Sequence, residues 1–222
     1  MGTRSPWSTP STRVVKKSAG KGLSLSEVAL FGVLGGLTFA AKMAMAGLAN
    51  IEPVSLMVML FAVTFGRKAA YPIYVYVLME YVTFGFGLWT FNYLYIWLVP
   101  ALAAWLVRGM TNPFGWAVLS GLFGLSFGAL CAPVDLFVGG WNYAVIQWAN
   151  GIPLDIAHCV GNFAIALLLF VPLRRVLERL YQGMGRGRPL RPAPTEPPPE
   201  TEKSPEQPKE AEPREWKKSD HD

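Results

Sequence analysis

Between residues 25 and 182 the chain carries only thirteen Asp, Glu, Lys and Arg side chains in 158 positions. Most of them stand at the ends of apolar segments. An ordinary soluble domain is about one-quarter charged, so a stretch this poor in charge cannot cover a globule with water-seeking groups. The flanks differ sharply. Residues 1–24 are basic and rich in Ser and Thr, and residues 183–222 hold nine prolines and seventeen charged side chains. The whole-chain mean hydropathy of +0.30 averages these unlike parts. The expected organisation is a basic cytoplasmic tail over 1–24, a membrane domain over 25–182, and a Pro- and charge-rich disordered cytoplasmic tail over 183–222, too poor in apolar side chains to offset the entropy of ordering.

A membrane helix needs about 20 residues, which leaves room for six spans. The apolar segments fall at about 25–48, 54–66, 69–86, 93–108, 114–132 and 153–180. Ser24 or Ser26 suits the N-cap of the first. Pro100 predicts a kink in the fourth, and Pro113 and Pro153 suit first helical positions. The second is short for a full crossing at about 1.5 Å per residue. Ala44-Met45-Ala46 has the look of a signal-peptidase site. The segment before it is longer than a signal core and Lys42 interrupts it, so it reads as an uncleaved first span.

Basic residues set the orientation. Arg13, Lys16, Lys17 and Lys21 precede the first segment, Arg67 and Lys68 follow the second, Arg108 the fourth, and Arg174, Arg175 and Arg179 the sixth. The intervening loops, 49–53, 83–92 and 132–152, contain no Lys or Arg. This alternation is what the positive-inside rule demands of an even number of spans. The expectation is an all-α integral membrane protein with six transmembrane helices and both termini cytoplasmic. The net charge of +5 thereby marks topology and no nucleic-acid surface.

Ionisable groups inside spans are costly and point to function. They are Lys42, Glu80, Asp155 and His158, with Asp135 at the outer edge of segment five. Lys42 can snorkel to the interface. Glu80 is shorter; it either pairs, with Lys42 the candidate, or faces a wet cavity, and the two are read as bracing one outward-facing cavity. Asp155, His158 and Asn162 follow at i, i+3 and i+7, one face of a helix. That face is either a polar helix–helix network or a hydrogen-bonding wall for a polar ligand. The loop over 132–152 gathers Trp141, Asn142, Gln147 and Trp148, in part an interfacial aromatic belt. Gly32, Gly36, Ala40 and Ala44 form a small-residue stripe that lets a helix approach closely, within this chain or on another subunit.

Chemistry on the chain itself is not indicated. Ser120-Gly121 and His158 faintly resemble the serine and histidine of rhomboid-type intramembrane proteases. Val118 stands where that motif has glycine, and the two residues fall at different membrane depths, whereas a nucleophile and its base need about 3 Å. No phosphate-binding loop, C-x-x-C or H-E-x-x-H occurs. Cys131 and Cys159 are too few for a metal site or disulfide framework, and neither metal nor cofactor is expected.

Taken together, several stretches resemble the substrate-binding S component of energy-coupling factor (ECF) transporters, bacterial importers of vitamins and micronutrients. They are Leu30-Phe31-Gly32-Val33-Leu34-Gly35-Gly36 leading to Lys42, Asn50-Ile51-Glu52-Pro53, Tyr71-Pro72-Ile73-Tyr74-Val75, Phe84-Gly85-Phe86-Gly87-Leu88-Trp89 with Tyr93-Leu94-Tyr95-Ile96-Trp97, and Asp155-Ile156-Ala157-His158 with Gly161-Asn162-Phe163. The resemblance implies a multi-pass protein of the bacterial cytoplasmic membrane that is not an enzyme. It implies a vitamin-like ligand held near the outer face by Asn50, Glu52, Trp89, Asn92, Tyr93, Trp97, Asp135, Trp141, Asn142, Gln147, Trp148, Asp155, His158 and Asn162, beside Lys42 and Glu80. It also implies that Gly32, Gly36, Ala40 and Ala44 contact a transmembrane coupling subunit, which joins two cytoplasmic ATPases. The competing reading is a stand-alone six-helix secondary transporter or structural membrane protein without an ATPase partner.

Overall fold

A computed structural model describes residues 22–48 and 51–185. The two tails lie almost wholly outside the described residues, as does Asn50. The described residues form helices and their connections, with no strand among them. Three helical stretches, Leu25–Ala44, Val54–Phe84 and Pro113–Gly183, are long and apolar enough to cross a membrane.

Helix α1 (Leu25–Ala44) opens on a capping box. The Ser24 hydroxyl accepts from the Glu27 N–H at 3.2 Å and the Glu27 carboxylate accepts from the Ser24 N–H at 2.9 Å, which satisfies two otherwise orphaned donors. Its inner face, Glu27, Phe31, Leu34, Gly35 and Thr38, packs against α3 (Ala70–Phe84). Between them in sequence stands α2 (Val54–Phe65), with nine of its twelve residues buried. A helix apolar on every side belongs inside a bundle, and α2 lies against the later helices over Leu98–Leu106 and Phe127–Gly183 as well as against α1 and α3. Its shortness follows: protein sheathes it. A 3-10 turn over Gly66–Ala69 carries the chain into α3.

The fourth apolar segment starts earlier than expected, with α4 (Leu88–Tyr93) continuing through tight turns into α5 (Leu98–Leu106). Pro100 explains the break. It has no N–H for the Ile96 carbonyl and its ring crowds that carbonyl. The chain tightens locally: Leu98 N–H donates to Tyr95 O at 2.9 Å and Val99 N–H to Ile96 O at 3.2 Å, both 3-10 bonds.

Helix α6 (Pro113–Leu125), with Asn112 as N-cap and Pro113 in its first turn, runs into α7 (Phe127–Gly183), and here the expected outer loop over 132–152 is corrected. That stretch is helical, broken at Gly140. The Gly128 N–H is bonded by Asp155 at 3.0 Å, whereas a straight helix would set residues 27 apart about 40 Å from each other. The chain has therefore doubled back, and Gly140 is the non-helical residue within α7 (φ 74°, ψ −175°). A reversal made by one glycine needs no loop, which is why Trp, Asn and Gly content misleads there. Pro153, expected to open a helix, stands inside one, as do Pro133 and Pro172; apolar surroundings tolerate this when neighbours satisfy the freed carbonyls.

Gly140 occupies a backbone region open essentially to glycine. Gly140→Ala is expected to destabilise the protein by about 1–3 kcal/mol, read as a lowered midpoint in thermal unfolding of the nanodisc-embedded protein. No open space is lacking, since nothing lies within 4 Å of an added Cβ; the effect would be backbone strain.

Candidate functional site

Lys42 lies in the last turn of α1 and Glu80 in the last part of α3. Because these helices pack together, their C-terminal ends meet. The Lys42 ammonium donates to Glu80 Oε2 at 2.9 Å and to the Tyr93 hydroxyl of α4 at 3.3 Å. Glu52, in the connection before α2, brings Oε2 to 3.8 Å from the same nitrogen. The rings of Tyr93 and Tyr76 flank it, with centroids 5.5 and 5.9 Å away, within cation–π range. Glu80 is 2 % exposed. The Lys42 side chain keeps about a fifth of its surface open, so it pairs and reaches the rim at once.

Outside this cluster opens a cavity of about 360 Å3. Lys42 and Glu52 supply its charged wall, and Met43, Met45, Leu48, Ile51 and Phe84 most of its apolar wall. Burial pushes the Glu52 carboxyl above its ordinary range. Lys42 pulls it down against this, and Glu80 adds to the rise. Behind the ammonium lies an aromatic layer. Trp89 and Trp97 both meet Tyr93 edge-on at 5.1 and 5.4 Å, and Trp97 meets Tyr76 at 5.8 Å. Among the described residues, Glu80 Oε1, the Tyr76 hydroxyl and Trp97 Nε1 are buried without a hydrogen-bond partner.

A second buried group lies where α6 crosses α7. Asp155, His158 and Asn162 are 4 %, 2 % and 2 % exposed, all turned inward. Their roles divide. Asp155 accepts from the Gly128 N–H through both oxygens, at 3.0 and 3.1 Å. Asn162 donates to Ser55 Oγ of α2 at 3.0 Å and to the Ser120 carbonyl of α6 at 3.4 Å. These two act as a helix–helix network. His158 does not join it: neither ring nitrogen has a partner among the described residues, and the ring rests against Phe127 and Phe123 at 5.1 and 6.3 Å.

The remaining sequence candidates scatter. Asn92 is buried, and its amide oxygen accepts from the Tyr95 hydroxyl at 3.1 Å. Asp135 is half-buried on the first arm of α7. Trp141, Asn142, Gln147 and Trp148 are exposed along the second arm. Gln147 bonds its helical neighbour Tyr143 at 3.3 Å, and none of the four lines the cavity beside Lys42. On α1, Gly32, Ala40 and Ala44 are exposed and Gly36 half-buried. The glycine that packs is Gly35, where an added Cβ would meet Val75 and the Pro72 carbonyl.

One charged residue escaped the sequence reading. Glu27 is fully buried, with Lys68 Nζ at 2.6 Å and the Tyr181 hydroxyl at 2.8 Å, both on Oε1. It ties the start of α1 to the 3-10 turn and to the end of α7. The capping box Ser24-x-x-Glu27 was a visible cue; partners 41 and 154 positions away were not.

No group of three His, Cys, Asp or Glu side chains converges as metal ligands among the described residues. Compared with family models, characterised proteins and solved structures, the chain matches none.

Proposed function

We propose that this chain is the substrate-capture subunit of an ECF-type importer in a bacterial cytoplasmic membrane. In this reading it is a binding protein and not an enzyme. Six spans cross the bilayer: α1, α2, α3, α4 with α5, α6 with the first arm of α7, and the second arm of α7. Both termini face the cytoplasm, which agrees with Lys and Arg being confined to alternate connections. A vitamin-like small molecule enters from the outer face. A transmembrane coupling subunit and two ATPases supply the energy for import.

The observation that carries this reading is the buried ion pair of Lys42 and Glu80 opening, through Glu52, onto a cavity of about 360 Å3. A pair placed only to hold helices together needs no cavity beside it, and small-molecule pockets begin near this size. The orphaned polar atoms of Glu80, Tyr76 and Trp97 behind it add support, since buried polar groups ordinarily have partners.

The test is to purify the full chain gently and identify co-eluting small molecules by mass spectrometry, with and without co-expressed coupling proteins. A reproducible ligand and a retained coupling subunit would support the reading. A protein that holds neither would sink it. For the partner surface, Gly36→Leu and Ala40→Leu are expected to leave ligand retention unchanged and to abolish co-purification of the coupling subunit. Normal assembly in both variants would remove the stripe from the interface.

A further inference from the structure

Two carboxylates and one ammonium meet at the outer cluster among its described residues, Glu52 and Glu80 against Lys42. The ammonium is already committed. Its two hydrogen bonds go to Glu80 and Tyr93, and Glu52 at 3.8 Å lies beyond hydrogen-bond range. One negative charge is thus left over in a half-buried site, on the residue that faces the cavity. Glu80, deeper in and 2 % exposed, has its charge paired by Lys42 but keeps Oε1 without a hydrogen-bond partner among the described residues. An uncompensated buried charge is costly, and a cation arriving from outside relieves it.

An anionic ligand would find the reverse. It would meet the Glu52 carboxylate, which has only a distant ion pair to Lys42, first and would have to compete with Glu80 for Lys42. The surroundings also suit a positive group. Tyr76 and Tyr93 present ring faces to the Lys42 ammonium behind the cavity, and apart from Lys42 and Glu52 the cavity wall is Met, Ala, Leu, Ile and Phe.

From these features we infer that the captured molecule is an organic cation, with a protonated or quaternary nitrogen held by Glu52 and an apolar body lying along Met43, Met45, Leu48, Ile51 and Phe84. The inference rests on the capture reading above and names its ligand class.

The test uses the full chain in nanodiscs and three probes of matched shape: 2-phenylethylammonium, 2-phenylethanol and 3-phenylpropanoate. Binding is read from the ligand-induced rise in melting temperature across a concentration series. The cation is expected to stabilise the protein while the alcohol and the carboxylate do not. Glu52→Gln is expected to weaken the cation about tenfold to a hundredfold, the range for a hydrogen bond to a charged group. Glu52→Asp, which keeps the charge, should retain most of the affinity, so a folding defect is separated from loss of charge.

Equal stabilisation by the alcohol or carboxylate would overturn the inference. So would undiminished cation binding in Glu52→Gln, an equal loss in both variants, or no response to any probe. Mass spectrometry separates this from the parent reading: a co-purifying neutral or anionic compound would overturn the charge assignment and leave capture standing.

Discussion

Glu80→Ala is expected to cost about 3 kcal/mol of stability and to release any retained ligand. Removing one partner of a buried pair leaves the other charge stranded, and such losses run to about 3–5 kcal/mol. The lower end applies because Lys42 keeps about a fifth of its side chain exposed and has Tyr93 and the more distant Glu52 nearby. The paired replacement Lys42→Met with Glu80→Leu removes both charges at similar volume. It should recover most of the stability, since buried pairs often exchange for apolar residues at little cost. Ligand retention should recover with it, because Glu52 keeps its charge on the cavity wall and no longer shares it with the Lys42 ammonium. Thermal unfolding in nanodiscs reads the first effect and mass spectrometry the second. Unchanged melting and unchanged retention in Glu80→Ala would show that the pair neither braces the cavity nor serves it.

Gly124→Ala is the second large effect. A Cβ there would lie 2.8 Å from the backbone carbon and oxygen of His158 and 2.9 Å from the nitrogen of Cys159. Backbone cannot rotate out of the way, so α6 and α7 must separate. The bond from Asn162 to the Ser120 carbonyl at 3.4 Å and the stacking of Trp116 on Phe170 at 4.1 Å would both loosen. Overpacking of this kind costs about 1–3 kcal/mol. Gly32→Ala is the matched control. Nothing lies within 4 Å of its added Cβ, and helix propensity alone would favour alanine there by up to about 1 kcal/mol. Opposite shifts in melting temperature from two helical glycines would locate the close approach. Equal shifts would mean that propensity, not contact, governs both.

The contrast between these glycines shows where the sequence could be read and where it could not. Small residues at every fourth position of α1 were conspicuous, yet the contact with α3 uses Gly35, one step off the stripe. Spacing reveals that a helix has a small-residue face; it does not reveal which face meets which neighbour. Gly124 and Gly128 carry no sequence signal, and Gly121 only the faint Ser120-Gly121 resemblance, because their packing role comes from Cys159, His158 and Asp155 on the returning helix. Lys42 and Glu80 were legible as a candidate pair, since ionisable groups are rare inside an apolar segment. Glu52 entered through resemblance, and its place beside Lys42 depends on how the connection to α2 folds. Glu27 was hidden for the opposite reason. It stands at a helix start, where an acidic residue already has an ordinary capping role. The Trp- and Asn-rich stretch over 132–152 has the composition of an outer loop, yet its backbone is helical on both sides of Gly140. The same Trp, Asn and Gln, set on a helix, face outward.

The reversal at Gly140 has a consequence for tolerance to change. Ordinary outer loops absorb insertions, because added residues bulge into water and leave the flanking helices in place. Here Asp155 and Gly128 are clasped on one side of the reversal, and one residue departs from helical geometry between them. There is no slack. A residue added to either arm below the clasp's turn would rotate part of the following helix by about 100° and swing the inward face of Asp155, His158 and Asn162 sideways. The hairpin is therefore a ruler as well as a wall: its length in residues sets which side chains the second arm delivers to the interior.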